Sequence, residues 1–226
     1  MKKKNTKTIL SAFGALAAFA LWTFLIRCVD VQPIGPNGSR VGFAAINGAF
    51  HALTGVHWAL YTLTDWLGLV PIGIALGFAV LGLVQLIRRK SLLKVDRDIL
   101  ILGGFYIVVL AAYLLFETVV INFRPVLIDG KLEASYPSST TMLALCILPT
   151  AMMQLKTRIR GDAVRRAILG ILAAFTVFMV AGRLISGVHW LSDIVGGVLL
   201  SAGLVMLYVF AAKRQGKSRD IFPDTV

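Results

Sequence analysis

Residues 66–87 read WLGLVPIGIALGFAVLGLVQLI, and Arg88-Arg89-Lys90 follows at once. These 22 residues carry no charged side chain. As an α-helix they would rise roughly 33 Å, enough to cross a hydrocarbon core that needs about 20 apolar residues. The run therefore reads as a membrane span, and the basic cluster at its end reads as an anchor on one face of the bilayer.

Five more runs of this kind flank it, at 8–26, 99–120, 138–155, 167–185 and 190–212. The chain as a whole is 58% hydrophobic and 15% charged, far too apolar for a soluble domain of 226 residues. The expectation is an all-α polytopic protein, a six-transmembrane-helix bundle forming a single membrane domain. Its core spans about 66–212, and residues 213–226 form a short solvated cytoplasmic tail. Between the first two runs, residues 41–65 are too polar for a span and read as an outer amphipathic segment, lying on the membrane surface or capping the bundle. The first run follows Lys2-Lys3-Lys4, as in a signal peptide, but no small-residue cleavage site precedes Arg27-Cys28-Val29. We read it as a retained helix.

The net charge of +12 raises the question of nucleic acid. Its distribution answers against that partner, because the basic residues sit in short clusters between apolar runs rather than on one folded face. Lys2, Lys3, Lys4 and Lys7 precede the first span. Arg88, Arg89, Lys90, Lys94 and Arg97 join the second to the third. Lys156, Arg158, Arg160, Arg165 and Arg166 join the fourth to the fifth, and Lys213, Arg214, Lys217 and Arg219 follow the sixth. Six alternating spans put all four clusters on one side and leave the other only Arg27, Arg40, Arg124, Lys131 and Arg183. The positive-inside rule then places both termini in the cytoplasm, which suits a bacterial plasma membrane. Cys28 and Cys146 lie apart, with neither a disulfide framework nor the neighbours of a metal site.

Chemistry is concentrated in three segments that alternation brings to the outer side. Asn122-Phe123-Arg124-Pro125 follows the third span, Tyr136-Pro137-Ser138-Ser139-Thr140 opens the fourth, and residues 182–193 join the fifth to the sixth. If His189 begins the sixth helix, Asp193 lies one turn on along the same face. Its carboxylate would then hold the Nδ1–H and free Nε2 as a nucleophile or base. Arg183 and Arg124 offer planar forks for phosphate oxygens. Ser138 adds a hydroxyl at a helix N-terminus, where the dipole favours an anion. Each signal has a bland counterpart: a helix-end hydrogen bond, an arginine reaching the interface, an ordinary helix start. Their common side of the membrane favours a phosphate site.

The spacing Arg183-x5-His189-x3-Asp193, preceded by Arg124-Pro125 and Pro137-Ser138, resembles the type 2 phosphatidic acid phosphatase family. The resemblance implies a metal-free, cofactor-free phosphatase of phosphorylated lipids. His189 would be the nucleophile that becomes phosphorylated and Asp193 the residue that orients it. Arg124, Ser138, Ser139 and Arg183 would bind the phosphate. Where that family has a lysine, this chain has Glu117; where it has the glycine and the acid histidine of the second motif, it has Ser139 and Thr140; and Gly182 stands for a serine.

A lost proton donor costs a monoester phosphatase more than a diphosphatase, because a phosphate leaving group is already a good anion. The substrate expected is therefore a lipid diphosphate of the polyprenyl kind; comparable turnover of a phosphatidate by the purified protein would remove that expectation. His51 or His57 could supply the missing proton, and His→Gln changes that leave the pH–rate profile untouched would rule this out. Glu117 could pair with Arg124, stay protonated near the membrane, or mark a different ligand. The alternative reading is a catalytically weak relative that binds or transports a phosphorylated lipid.

Overall fold

The computed structural model describes the backbone of residues 2–221 and the side chains of 5–213. The side chains of Lys2, Lys3, Lys4, Arg214, Lys217 and Arg219, and the whole of residues 222–226, lie outside that description. Among the described residues eight α-helices form: α1 (Lys2–Cys28), α2 (Ala44–Thr54), α3 (Trp58–Leu67), α4 (Leu69–Arg89), α5 (Arg97–Thr118), α6 (Ser139–Arg158), α7 (Asp162–Ile185) and α8 (Leu191–Ile221). The protein is an all-α membrane bundle, as the hydrophobic runs imply.

Five helical stretches among the described residues are long and apolar enough to cross a membrane: Asn5–Cys28, Trp58–Arg89, Arg97–Thr118, Asp162–Ile185 and Leu191–Lys213. The sixth long helix, α6, falls short in apolarity. It buries Thr141, Thr150 and Gln154 beside Met142, Ala144, Cys146, Ile147 and Leu148, and packs on α4, α5, α7 and α8. A helix enclosed by other helices meets little lipid, so its composition need not be that of a lipid-facing span. Pro149 interrupts its ladder of hydrogen bonds, and the Thr150 hydroxyl donates to the Cys146 carbonyl at 2.7 Å one turn earlier.

Residues 41–65 form two helices rather than one segment. The second, α3, runs into α4 with only Gly68 between, so the apolar stretch starts at Trp58 instead of Trp66.

Two sets of contacts define the ends of the bundle. At one end Arg158 at the foot of α6 donates to Asp98 at the start of α5 (2.8 Å), and Arg89 at the end of α4 pairs with Asp96 (2.8 Å). The Arg89 guanidinium, with help from Gln85, holds the Asp96 carboxyl below its usual range. Most of the described basic side chains belong to this end. At the other end the last turns of α1, α5 and α7 and the first turns of α6 and α8 converge.

Candidate functional site

The chain from 119 to 138 is a folded-back loop. Asp129 and Gly130 both have positive φ (48° and 72°), and Ile128 and Lys131 exchange both backbone hydrogen bonds across them. An Asp-Gly pair suits such a two-residue reversal. The two limbs pair again further down, where Phe123 lies opposite Ala134, after the Pro125 limb has taken up two extra residues. This register sets Arg124 against Glu133 (N–H to carbonyl, 3.0 Å) and Asn122 against Ser135 (2.9 Å).

The α7–α8 connection is pinned from above by the α2–α3 loop. His57 N–H donates to the Ser186 carbonyl at 2.9 Å, and Gly187 takes φ 70°. A Cβ there would sit 1.9 Å from the Gly55 carbonyl oxygen, so the approach requires glycine. Asn47 of α2 caps the start of α8, accepting from Ser192 N–H (3.1 Å) and donating to its hydroxyl (2.9 Å).

His189 stands two residues before α8 begins, not on its first turn. Asp193 therefore reaches back along the helix start: its Oδ2 accepts the Trp190 N–H at 2.9 Å, as the third residue of a capping box does. The direct imidazole–carboxylate hydrogen bond expected from sequence is absent, since Nδ1 and Oδ2 are 4.0 Å apart. Ser135 fills the gap. Its hydroxyl lies 3.0 Å from His189 Nδ1 and donates to Asp193 Oδ2 at 2.5 Å. Asn122 donates to the other carboxylate oxygen at 3.2 Å.

The opposite nitrogen, Nε2, faces Arg124 Nη1 at 3.3 Å and Arg183 Nη2 at 3.5 Å. Burial, reinforced by the two guanidiniums, holds the His189 imidazole well below its usual range and thus neutral. Both arginines are buried, 9% and 1% exposed, a cost repaid only when such charges are paired. In this structure their partners are marginal. Arg183 reaches Asp65 Oδ1 at 3.4 Å and Thr64 at 3.5 Å, and the Tyr61 ring lies 4.9 Å from its guanidinium carbon. Arg124 Nε lies 3.2 Å from Glu133 Oε2 without hydrogen-bond geometry. The Nε–H of each arginine is buried with no hydrogen-bond partner. Two buried guanidiniums with unused donors beside a neutral imidazole nitrogen have the chemistry to hold an anion within reach of a nucleophilic nitrogen.

A polar chamber of about 640 Å³ opens over the arginines, walled by Tyr61, Asp65, Tyr113, Glu117, Glu133, Ser139 and Thr140. Glu117 and Ser139 also border a small pocket that reaches His189. Ser138 is fully buried; its hydroxyl caps α6 by accepting from Thr141 N–H (3.5 Å), and its own N–H donates to the Asp193 carbonyl (3.1 Å). It supports the site from below. His51 and His57 do not line the chamber. His51 Nε2 meets the Gly187 carbonyl at 3.1 Å with the ring against Trp190, and His57 Nε2 meets the Thr54 carbonyl at 2.9 Å. Among the described residues no cluster of three or more His, Cys, Asp or Glu could hold a metal ion.

The sequence pointed to Arg124, Arg183, His189 and Asp193, and the fold brings all four together. Ser135, Asn122, Tyr61, Asp65 and Glu133 join them without having been singled out. The Asp129-Gly130 turn was a signal for three of these, because a reversal there folds 133 and 135 back onto 122–124.

Residues 118–217 match the profile of the PAP2 superfamily, which bears out the resemblance drawn from the motifs. No curated protein matches the chain. Among solved structures, a transmembrane PAP2-type phosphatidylglycerolphosphate phosphatase from Bacillus subtilis is 20% identical. It aligns over 95% of this chain and 99% of that one, with a TM-score of 0.49.

Proposed function

From the premise that residues 118–217 are a PAP2-superfamily segment, we propose that this membrane protein is a phosphatase of phosphorylated lipids, acting through a phosphohistidine at His189. The observation that carries the reading is the neutral Nε2 set between two buried guanidiniums whose Nε–H groups are unspent. A terminal phosphate bound by Arg124 and Arg183 presents phosphorus to Nε2. The N–P bond forms as the P–O bond to the leaving group breaks, and the electron pair stays on the departing oxygen. Water then attacks the phosphohistidine, releasing inorganic phosphate and the free imidazole, and its spare proton passes to solvent.

Beside the chamber lies a groove of about 670 Å³ between α4 and α5, and Ile72 and Leu143 wall both spaces. The groove is lined almost wholly by apolar side chains and glycines, which supports a substrate with a hydrocarbon tail. A lipid diphosphate is favoured over a phosphatidate. No histidine other than His189, which borders the small adjoining pocket, comes near the chamber, and a phosphate leaving group depends least on a proton donor, a contribution of about 10²–10⁴-fold for an alkoxide. The work would take place on the extracytoplasmic face of a bacterial plasma membrane.

A second reading has its own observation. Glu117 and Thr140 both face the chamber, and a carboxylate there opposes phosphate, as expected of a relative that binds or moves a phosphorylated lipid without cleaving it. Phosphate release by the purified protein from a polyprenyl diphosphate and a phosphatidate, beside His189→Ala, tests both. Release abolished by His189→Ala and faster for the diphosphate is the expected result. Tight binding of both lipids without release would establish the second reading.

A further inference from the structure

We propose that Ser135 is the positioning residue that joins His189 to Asp193 and fixes which imidazole nitrogen is free to react. The hydroxyl has one proton and places it on Asp193 Oδ2 at 2.5 Å. Toward His189 it then has only lone pairs, so at 3.0 Å it accepts, and Nδ1 must carry the ring proton. On the other side Nε2 faces only donors, the Nη groups of Arg124 and Arg183, and must be bare. Both faces of the ring select the same tautomer. The carboxylate is committed as well: Oδ2 also accepts the Trp190 N–H and Oδ1 accepts from Asn122, so His189, Ser135, Asp193, Trp190 and Asn122 act as one fixed frame.

Asp193 cannot take over if Ser135 is lost, because 4.0 Å separates its oxygen from Nδ1. The chain direction hints at none of this. Ser135 arrives from the loop before α6, 54 residues before the histidine it holds. Its backbone is fixed by its N–H to the Asn122 carbonyl (2.9 Å), so the hydroxyl is aimed by the same paired limbs that place Arg124.

The functional part of this proposal rests on the phosphohistidine reading. When Nε2 bonds to phosphorus the ring becomes a cation that keeps its Nδ1–H. Ser135 couples that cation to the Asp193 carboxylate through two hydrogen bonds, with no proton changing hands. Removing the hydroxyl should slow phosphoryl transfer while leaving phosphate binding to the arginines.

The test has two arms. In ¹⁵N-histidine-labelled protein in detergent, the His189 nitrogens should report an Nδ1-protonated, neutral ring, assigned by loss of the signal in His189→Gln. This readout needs no substrate, so it decides the tautomer even if no lipid is hydrolysed. In turnover, Ser135→Ala should lower kcat about ten- to a hundredfold, the worth of one hydrogen bond to a charged group. KM should stay within about twofold, since both guanidiniums remain to bind the phosphate. Ser135→Thr, which keeps the hydroxyl, should restore most of the rate. An Nε2-protonated ring in the wild type, or unchanged kcat in a folded Ser135→Ala protein, would overturn the proposal. A wild-type protein with the expected tautomer but no turnover would instead count against the phosphatase reading.

Discussion

His189 is kept neutral by burial and by two positive neighbours, and that fixes the sign of its pH dependence. In the proposed reaction the reactive form is the deprotonated one, so activity should fall as pH drops through the His189 pKa. Because that pKa lies well below 6.5, the acid limb of kcat/KM belongs well below 6.5 too. Arg124→Gln removes one repelling charge and should move the limb to higher pH, besides raising KM; a pH–rate profile of both proteins measures the shift. Arg183→Lys keeps a charge but loses the fork that spans Nε2 and Asp65. We expect a loss of about tenfold or more in kcat/KM, read from initial rates. At this scale the arginines, His189 and Asp193 were legible because charged or catalytic side chains beside apolar runs need a reason to be there. Ser135 and Asn122 were not, since a serine or an asparagine in a loop has many ordinary uses.

Two glycines separate local strain from close contact at the scale of the elements. Gly130 and Gly187 share a φ near 70°, but a Cβ on Gly130 meets nothing within 4 Å while one on Gly187 would strike the Gly55 carbonyl. Gly130→Ala should cost only the left-handed conformation, about 1–2 kcal/mol. Gly187→Ala adds the collision between the α2–α3 and α7–α8 loops and should lower the thermal midpoint distinctly more, by a detergent melting curve of each variant. The helices themselves were readable from apolar runs. The offset at α8 was not: His189 and Asp193 look like one helical turn, but the capping geometry at Trp190 starts the helix two residues late and opens the space that Ser135 occupies.

For the whole molecule, alternation of the long helices puts the site at one end and the Arg89, Asp96, Asp98 and Arg158 contacts at the other. Native chemistry offers a test of which end faces outward. Cys28, at the end of α1 on the site side, is exposed, whereas Cys146 in α6 is buried. A membrane-impermeant maleimide added to intact cells should label the protein, and Cys28→Ser should abolish the label. Labelling only after the cells are opened would reverse the orientation. The groove between α4 and α5 makes a matching prediction about chain length. Gly104→Phe, which places a ring in the groove, should slow a long-chain diphosphate more than a short-chain one, measured as the ratio of kcat/KM values.

The polar composition of α6 reaches beyond the finished fold to the way it is made. Lipid accepts a helix on its own hydrophobicity, and Thr141, Thr150 and Gln154 weaken that credential for α6. Its natural surroundings are α4 and α5, which precede it in synthesis, and α7 and α8, which follow. A chain ending at residue 158 would hold α6 without α7 and α8 beside it, so such a truncation should insert α6 less completely than the full chain does.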